Sequence, residues 1–337
     1  MPDLKFAFAG FGHTHINSLY KLVQERDGLT VIGACESEAP SRDSASKAGI
    51  DLTQHTLDEM LDAVDCDVVA IGAAFGDRGA IAIEALKQGK HVIADKPLCT
   101  RMSELDEITQ LSADAELRVG CMLTQRGSRT SLGLRHLIQQ GKIGDLHAIN
   151  FGGQHPLNLG SRPAWYFEPD RHGGTITDIF IHAADSIPWM TGLAYDRVVA
   201  ARCWNALAPD YPHFEDGAQL MVTLENGCGI VGDVSYFMPS EGGYKMPYYW
   251  RTTFFGSEAV AEISAISGTI DLTVDGEVVS LDPEGPPPRN YLDGFIADIA
   301  GESDPENLST HDVLQATRTA IRVQEAADTS RFDVSLA

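Results

Sequence analysis

A lysine at position 96, a two-glycine loop at Gly10-Phe11-Gly12, and Asp178 with His182 four residues on are the groups of this chain best placed to do chemistry. Lys96 sits in Asp95-Lys96-Pro97, which ends the apolar run His91-Val92-Ile93-Ala94. A lysine at the carboxyl end of a buried strand lies where an open α/β sheet binds its ligands. The proline stops the strand and sets the backbone just past the ammonium. A positive charge there can stabilise an oxygen that is gaining negative charge. The plainer alternative is a solvated strand end.

The segment Phe6-Ala7-Phe8-Ala9-Gly10-Phe11-Gly12-His13-Thr14-His15 sets a strand, two glycines and a helix start in the order that dinucleotide binding needs. Gly10 permits the tight turn and Gly12 lets the backbone approach a pyrophosphate, which the helix N-terminus then attracts. His15 stands where the third glycine of G-x-G-x-x-G would be, so the fingerprint is incomplete. His13, Thr14 and His15 are expected as loop packing and phosphate-side contacts rather than catalysts. Glu36 closes the second strand roughly 20 residues on, placed to accept hydrogen bonds from the adenosine ribose. An acid there disfavours a 2′-phosphate and argues for NAD over NADP, with Arg42 the residue able to reverse that preference.

Asp178 and His182 fall in a predicted helix, Thr175 to Met190, that follows Gly173-Gly174. Four apart, they share one face, with Asp185 further along the same side. Their neighbours Ile179, Phe180, Ile181, Ile187 and Trp189 are apolar, so the helix is expected to be buried. A carboxylate and an imidazole in such a place cost free energy unless paired or put to use. Histidine suits proton transfer near neutral pH; the alternative is an Asp–His hydrogen bond that pins the helix. His155, His172, His182 and Asp178 match no metal spacing, and no metal is expected.

Positioning these groups requires a strand–helix alternation in the first 120 or so residues. Strands are predicted at Lys5–Ala9, Thr30–Cys35, Asp67–Ile71, His91–Ala94 and Leu117–Cys121. Helices are predicted at 15–24, 41–48, 57–63, 78–87 and 103–113. Strands apolar on both faces imply a doubly wound parallel sheet, an α/β Rossmann domain over 1–121. From 122 to 337 the texture becomes α+β. Eight strand-like stretches, some joined by turns such as Glu225-Asn226-Gly227 and Asp275-Gly276, imply an open, largely antiparallel sheet for substrate binding and oligomerisation. The closing helices near 291–300 and 312–327 are free to pack back on the first domain. Pro286-Pro287-Pro288 reads as a stiff surface connection.

A net charge of −23 repels nucleic acid and anionic membrane, so neither is an expected partner. No apolar stretch approaches the roughly 18 residues that span a bilayer, and the N-terminus lacks the build of a signal peptide. The six scattered cysteines show no metal-type or CxxC spacing and read as reduced thiols, which together implies a cytoplasmic protein.

The chain resembles the glucose–fructose oxidoreductase/inositol dehydrogenase (Gfo/Idh/MocA) family over essentially its whole length. The likeness rests on Gly10-Phe11-Gly12, on Gly89-Lys90-His91-Val92 leading to Asp95-Lys96-Pro97, and on Gly173-Gly174 with Asp178 and His182. The family usually reads Glu-Lys-Pro, so Asp95 departs conservatively. The resemblance implies an oxidoreductase exchanging hydride between NAD and a sugar or polyol hydroxyl, working as a homodimer or homotetramer. It makes Lys96 the group that polarises the reacting oxygen, His182 the general base, and Asp178 the residue orienting it or the substrate. It implies cofactor contacts from Ala73, Phe75, Asp95 and Gln125. Arg78 stands where relatives carry a histidine, and Arg126 is either a substrate contact or an interdomain ion pair.

The stretch 154–167 is rich in hydrogen-bonding and aromatic groups, which suits a carbohydrate ring. Expected substrate contacts are Arg126, His155, Arg162, Trp165, Tyr166 and His172, against the alternative of an ordinary loop with a packed tryptophan. An alternative activity is a glycosidase or lyase that keeps NAD bound and oxidises its sugar transiently, since Lys96, Asp178 and His182 would serve both. A non-catalytic NAD-binding sensor is the third possibility.

Overall fold

Near-continuous apolar runs such as Leu4-Lys5-Phe6-Ala7-Phe8-Ala9 bury both strand faces, which only a sheet covered on both sides allows. The computed structural model describes residues 3–285 and 288–336, so Pro286 and Pro287 of the expected proline connection lie outside the described residues. The first sheet and its helices follow in chain order. They are β1 (Leu4–Ala9), α1 (Ile16–Gln24), β2 (Leu29–Cys35), α2 (Ala39–Lys47), α3 (Leu57–Ala63), β3 (Val68–Ile71), α4 (Arg78–Lys87), β4 (His91–Ala94), α5 (Met102–Asp114) and β5 (Val119–Cys121). All neighbouring strands pair in parallel, in the order β2-β1-β3-β4-β5. The order reverses between β1 and β3, and this is the topological switch point where open α/β sheets bind ligands.

The second sheet follows α6 (Arg129–Gln139). It comprises β6 (Leu146–Pro156), then, after α7 (Ile181–Thr191), β7 (Tyr195–Trp204), β8 (Gly217–Leu224), β9 (Gly229–Met238), β10 (Arg251–Gly256), β11 (Val260–Ser264), β12 (Ile270–Val274) and β13 (Glu277–Leu281). Helices α8 (Tyr291–Ile299) and α9 (Thr310–Asp328) and the short β14 (Val334–Ser335) close the chain. The nine strands run β13-β12-β11-β10-β6-β9-β8-β7-β14, with β6 and β9 parallel and the other described pairs antiparallel. α6 packs against β11 and β12, and against α7. The α/β Rossmann unit and the mostly antiparallel second sheet are the expected fold class.

By packing, the chain forms two compact units. The first holds the residues through Met122 together with Pro163–Gly173 and Tyr291–Thr317; the second holds Leu123–Arg162, Gly174–Asn290 and the residues from Arg318 onward. Two segments beyond residue 121 thus return to the first unit: one carries the closing helix α8, and the other, Pro163–Gly173, carries no sequence signal of its return. The physical reason is apolar burial: Leu292, Phe295 and Ile296 of α8 join the first unit's core with Phe6, Phe8 and Ile93. Each such side chain contributes roughly 1.5–3 kcal/mol. Gly120 of β5 makes room for Phe295, because a Cβ there would lie 2.7 Å from its ring. Among the described residues no helix is long and apolar enough to cross a membrane.

Candidate active site

The glycine loop follows β1 directly. Gly10 takes φ +83°, and a Cβ on it would lie 2.7 Å from the backbone of Ala73, so only glycine fits. Phe11 turns its ring into the core against Phe8 and Tyr20, leaving its backbone for the loop. Its N–H donates to Glu36 Oε2 at 2.6 Å, and the Glu38 N–H donates to Glu36 Oε1 at 2.8 Å. Two backbone donors thus fix the Glu36 carboxylate at the end of β2, with lone pairs left for further hydroxyl donors. A cleft of about 300 Å³ lies here, lined by Gly10, Gly12, Glu36, Glu38, Ala73 and Asp77 among others. A Cβ on Gly12 would come within 3.0 Å of Ala74 N at its wall. A glycine-lined cleft at the switch point, before a helix start and beside a fixed acid, fits a dinucleotide. Arg42 hydrogen-bonds His55 and the Ser37 carbonyl at an exposed rim.

Thr14 and His15 are exposed at the loop tip, while His13 is buried. His13 Nδ1 meets Asp95 Oδ2 at 2.5 Å, and His15 Nδ1 lies 3.5 Å from Asp95 Oδ1. Arg78 is fully buried and takes hold of the same segment. Its Nη1 donates to the carbonyls of Asp95 (2.6 Å), Lys96 (2.6 Å) and Pro97 (3.2 Å), its Nε to Ala73 O (2.9 Å), and its Nη2 to Asp95 Oδ2 (3.2 Å). The Arg78 side chain also sits over the Phe75 ring at 4.5 Å. Burial alone would raise the Asp95 carboxyl, but the His13 and Arg78 contacts outweigh it and hold it well below the usual carboxylate range. Burial pushes His13 down to about 4 against the pull of Asp95. At neutral pH the imidazole is therefore neutral, with its proton on Nδ1 facing the carboxylate. Asp95, expected at the cofactor, is an anchor with no exposed surface. Lys96 follows it, joined to Pro97 by a cis peptide, with Nζ 5.8 Å from the Phe75 centroid.

The segment 163–173 also belongs to this unit. Trp165 Nε1 donates to Gly12 O at 3.0 Å, and its ring packs on Phe75 at 4.8 Å. Tyr166 and His172 close round the same phenylalanine at 5.7 and 5.5 Å. The three aromatic residues expected against a substrate ring are thus buried against the glycine loop and Phe75. Hydrogen bonding of the indole to a loop carbonyl is what places Trp165 there. Phe75 is enclosed by these rings and by Arg78, while Ala73 lines the cleft.

In the second unit the expected single helix is two pieces. A π-helical turn over Ile176–Phe180 leads into α7. Such turns are rare and frequently accompany functional sites. Gly173 and Gly174 take φ +77° and +96°, and Gln324 Oε1 then accepts from the N–H groups of Ile176 (2.9 Å) and Thr177 (3.4 Å). Asp178 accepts a hydrogen bond from the Tyr236 hydroxyl of β9. His182 lies 5.1 Å from Trp250, centroid to centroid, and Trp250 lies 4.8 Å from His155. Tyr249 stands 5.0 Å from the same His155 ring. Arg162 hydrogen-bonds Leu157 O (2.9 Å) and Pro156 O (3.0 Å), and its guanidinium is 5.5 Å from the Tyr236 centroid. His155, Arg162, Asp178 and His182 therefore share one aromatic-walled region, which Tyr236, Tyr249 and Trp250 complete. Sequence spacing did not single out those three, because they come from β9 and the loop before β10.

Arg126 makes a two-pronged ion pair with Asp185, Nε to Oδ1 at 2.9 Å and Nη2 to Oδ1 at 2.6 Å. Both residues belong to the second unit, so the expected interdomain bridge is an internal one. Beside it, Gln125 Oε1 accepts from Ser186 Oγ at 2.9 Å. Both residues tie the turn after β5 to α7.

Comparison with known proteins places the chain. Residues 4–122 match the oxidoreductase family with an NAD-binding Rossmann fold, and residues 132–262 match the GFO/IDH/MocA C-terminal domain. An inositol 2-dehydrogenase of Leifsonia xyli is 24% identical over 91% of this chain and 94% of its own length. A putative oxidoreductase of Erwinia carotovora superposes with a TM-score of 0.85 at 24% identity, covering 96% of this chain and 98% of that one. An inositol dehydrogenase homologue of Azotobacter vinelandii, solved with NAD+, superposes with a TM-score of 0.79 at 17% identity, covering 99% and 97%. With both of its domains matched in order, the chain belongs to the GFO/IDH/MocA family of NAD-binding oxidoreductases.

Proposed function

We propose that this chain oxidises a hydroxyl of a sugar or cyclic polyol to a ketone, or reduces the ketone, with NAD favoured over NADP. Carrying the proposal is the burial of three ionisable groups suited to that reaction: Lys96, Asp178 and His182 are 5%, 3% and 5% exposed. Buried ionisable groups are costly and concentrate where they act. Bound NAD supplies the hydride acceptor. Lys96 lowers the energy of the alkoxide that forms as the hydroxyl loses its proton. The His182 imidazole takes that proton, and Asp178 holds the imidazole or the substrate in line. Glu36 favours a free 2′-hydroxyl, since a phosphate beside a carboxylate is repelled. For assembly we propose a second copy of the chain on the open sheet face, where Met221 and Val231 pair across β8 and β9, both about half exposed.

An absorbance screen of inositols, sugars and sugar acids with NAD and NADP in parallel tests the reaction. The expected result is stoichiometric NADH from one substrate class, abolished by Lys96→Ala while NAD affinity stays within a few-fold. Turnover that survives Lys96→Ala overturns the assignment. Product formation without net NADH would favour transient oxidation within a bond-cleaving reaction.

A further inference from the structure

We infer that Arg171 is a clasp across the dinucleotide cleft that must open before the cofactor can leave. The inference rests on the NAD site and concerns a residue that none of the motifs contains. Sheet order is the first argument. β1 lies between β2 and β3, so the glycine loop after β1 is flanked by the chain leaving each neighbour. Glu38, just past β2, and Asp77, just past β3, stand on the two sides of that loop, and both line the cleft with Arg171. The Arg171 Nη2 lies 2.5 Å from Glu38 Oε1 and 2.9 Å from Asp77 Oδ2. One guanidinium therefore spans both walls. Its Nη1 is tied to Glu168 at 3.3 Å.

The other end of the clasp is backbone. Gly76 N–H donates to Arg171 O at 2.8 Å, and a Cβ on Gly76 would lie 3.1 Å from Arg171 Cα, so the segment sits tightly on the loop after β3. Arg101 reinforces it, donating to Gly76 O (3.0 Å) and Asp170 O (3.5 Å). Trp165 holds the start of the same segment on Gly12. Arg171 Nε is buried and has no hydrogen-bond partner among the described residues. The side chain is thus fixed at its root, while its tip crosses the cleft through charge pairs that water and salt can weaken.

The test is a release experiment needing no substrate. The protein is loaded with NADH, chased with excess NAD, and followed by NADH fluorescence. With all three ion pairs of Arg171 lost, Arg171→Ala is expected to speed release about tenfold, and Glu38→Gln, which removes one of them, about threefold. Arg171→Lys, which keeps the charge but has no second nitrogen to hold Glu168 as well, should fall between. Raising the ionic strength should speed release from the wild type and leave Arg171→Ala nearly unchanged. Uptake of NADH with release equally fast in wild type, Arg171→Ala and Glu38→Gln overturns the clasp alone. A wild-type chain that takes up no NADH overturns the cofactor site, and the clasp with it.

Discussion

The Lys96 loop and the start of the Asp178 helix hold the groups proposed for the reaction by opposite means. Around Lys96 the holding groups are charges: Arg78 spends its donors on four backbone carbonyls and one carboxylate, and His13 closes the set. Around Asp178 and His182 the described contacts are with aromatic side chains: the Tyr236 hydroxyl donates to the carboxylate and the Trp250 ring lies against the imidazole. Charge-assisted hydrogen bonds are directional and fix one geometry. Aromatic walls fill space and accept several shapes. The exposure of Tyr244, Met246 and Tyr248 in the loop before β10 agrees with the second kind of construction. A single cut should therefore do most harm in the first region.

The largest effect is expected from Arg78→Met, which keeps much of the apolar stem and deletes the guanidinium. Asp95 would then be a buried charge facing a neutral imidazole, and three loop carbonyls would lose their donor. Breaking a buried pair from one side costs about 3–5 kcal/mol. Urea unfolding should show that loss, and turnover should fall with it because the backbone on either side of Lys96 is released. A loss below about 1 kcal/mol would mean that the network is decoration.

Next in size is a pH dependence that belongs to the first region alone. His13 has a folded-state pKa of about 4, against about 6.5 when unfolded. Between those values the unfolded chain binds a proton that the folded chain does not, so stability falls as pH drops from about 6.5 toward 4. The depressed Asp95 carboxyl acts in the same direction at still lower pH, its contribution lost as pH falls through its folded value. The His13 part amounts to about 3 kcal/mol. His13→Asn, which retains an N–H donor, should flatten the slope in thermal melts across that range. An unchanged slope would move the titration to another group.

Much of the first region was legible because its signals are local. Strand–helix alternation located all five parallel strands, and the limits of α3 and α4 were reached to the residue. Arg78 was visible as a departure from the family's histidine, yet its role was not. Its partners are mainly backbone carbonyls, which every residue carries and no pattern marks. Arg126 and Asp185 were each singled out, and still their pairing needed the register between the turn after β5 and α7. The π turn was hidden as well, and its first N–H groups are met by Gln324 of α9, far along the chain. Trp165 shows a third limit: composition marked it as a stacking surface, and its indole hydrogen bond to Gly12, 153 residues away, is a contact that no local pattern marks.

The smallest expected effect sharpens the comparison most. Tyr236→Phe removes one hydroxyl from the second region and leaves its aromatic wall in place. A hydrogen bond to a buried charge is worth about 1.5–3 kcal/mol, so kcat/KM should fall at least about tenfold at neutral pH. A packing role for Tyr236 would lower the melting temperature and spare kcat/KM. If kcat/KM falls while the melting temperature holds, the second region also depends on a directional bond, and the contrast with the Lys96 loop is one of degree. If both hold, the Tyr236 hydroxyl is dispensable and this residue contributes its ring to the wall.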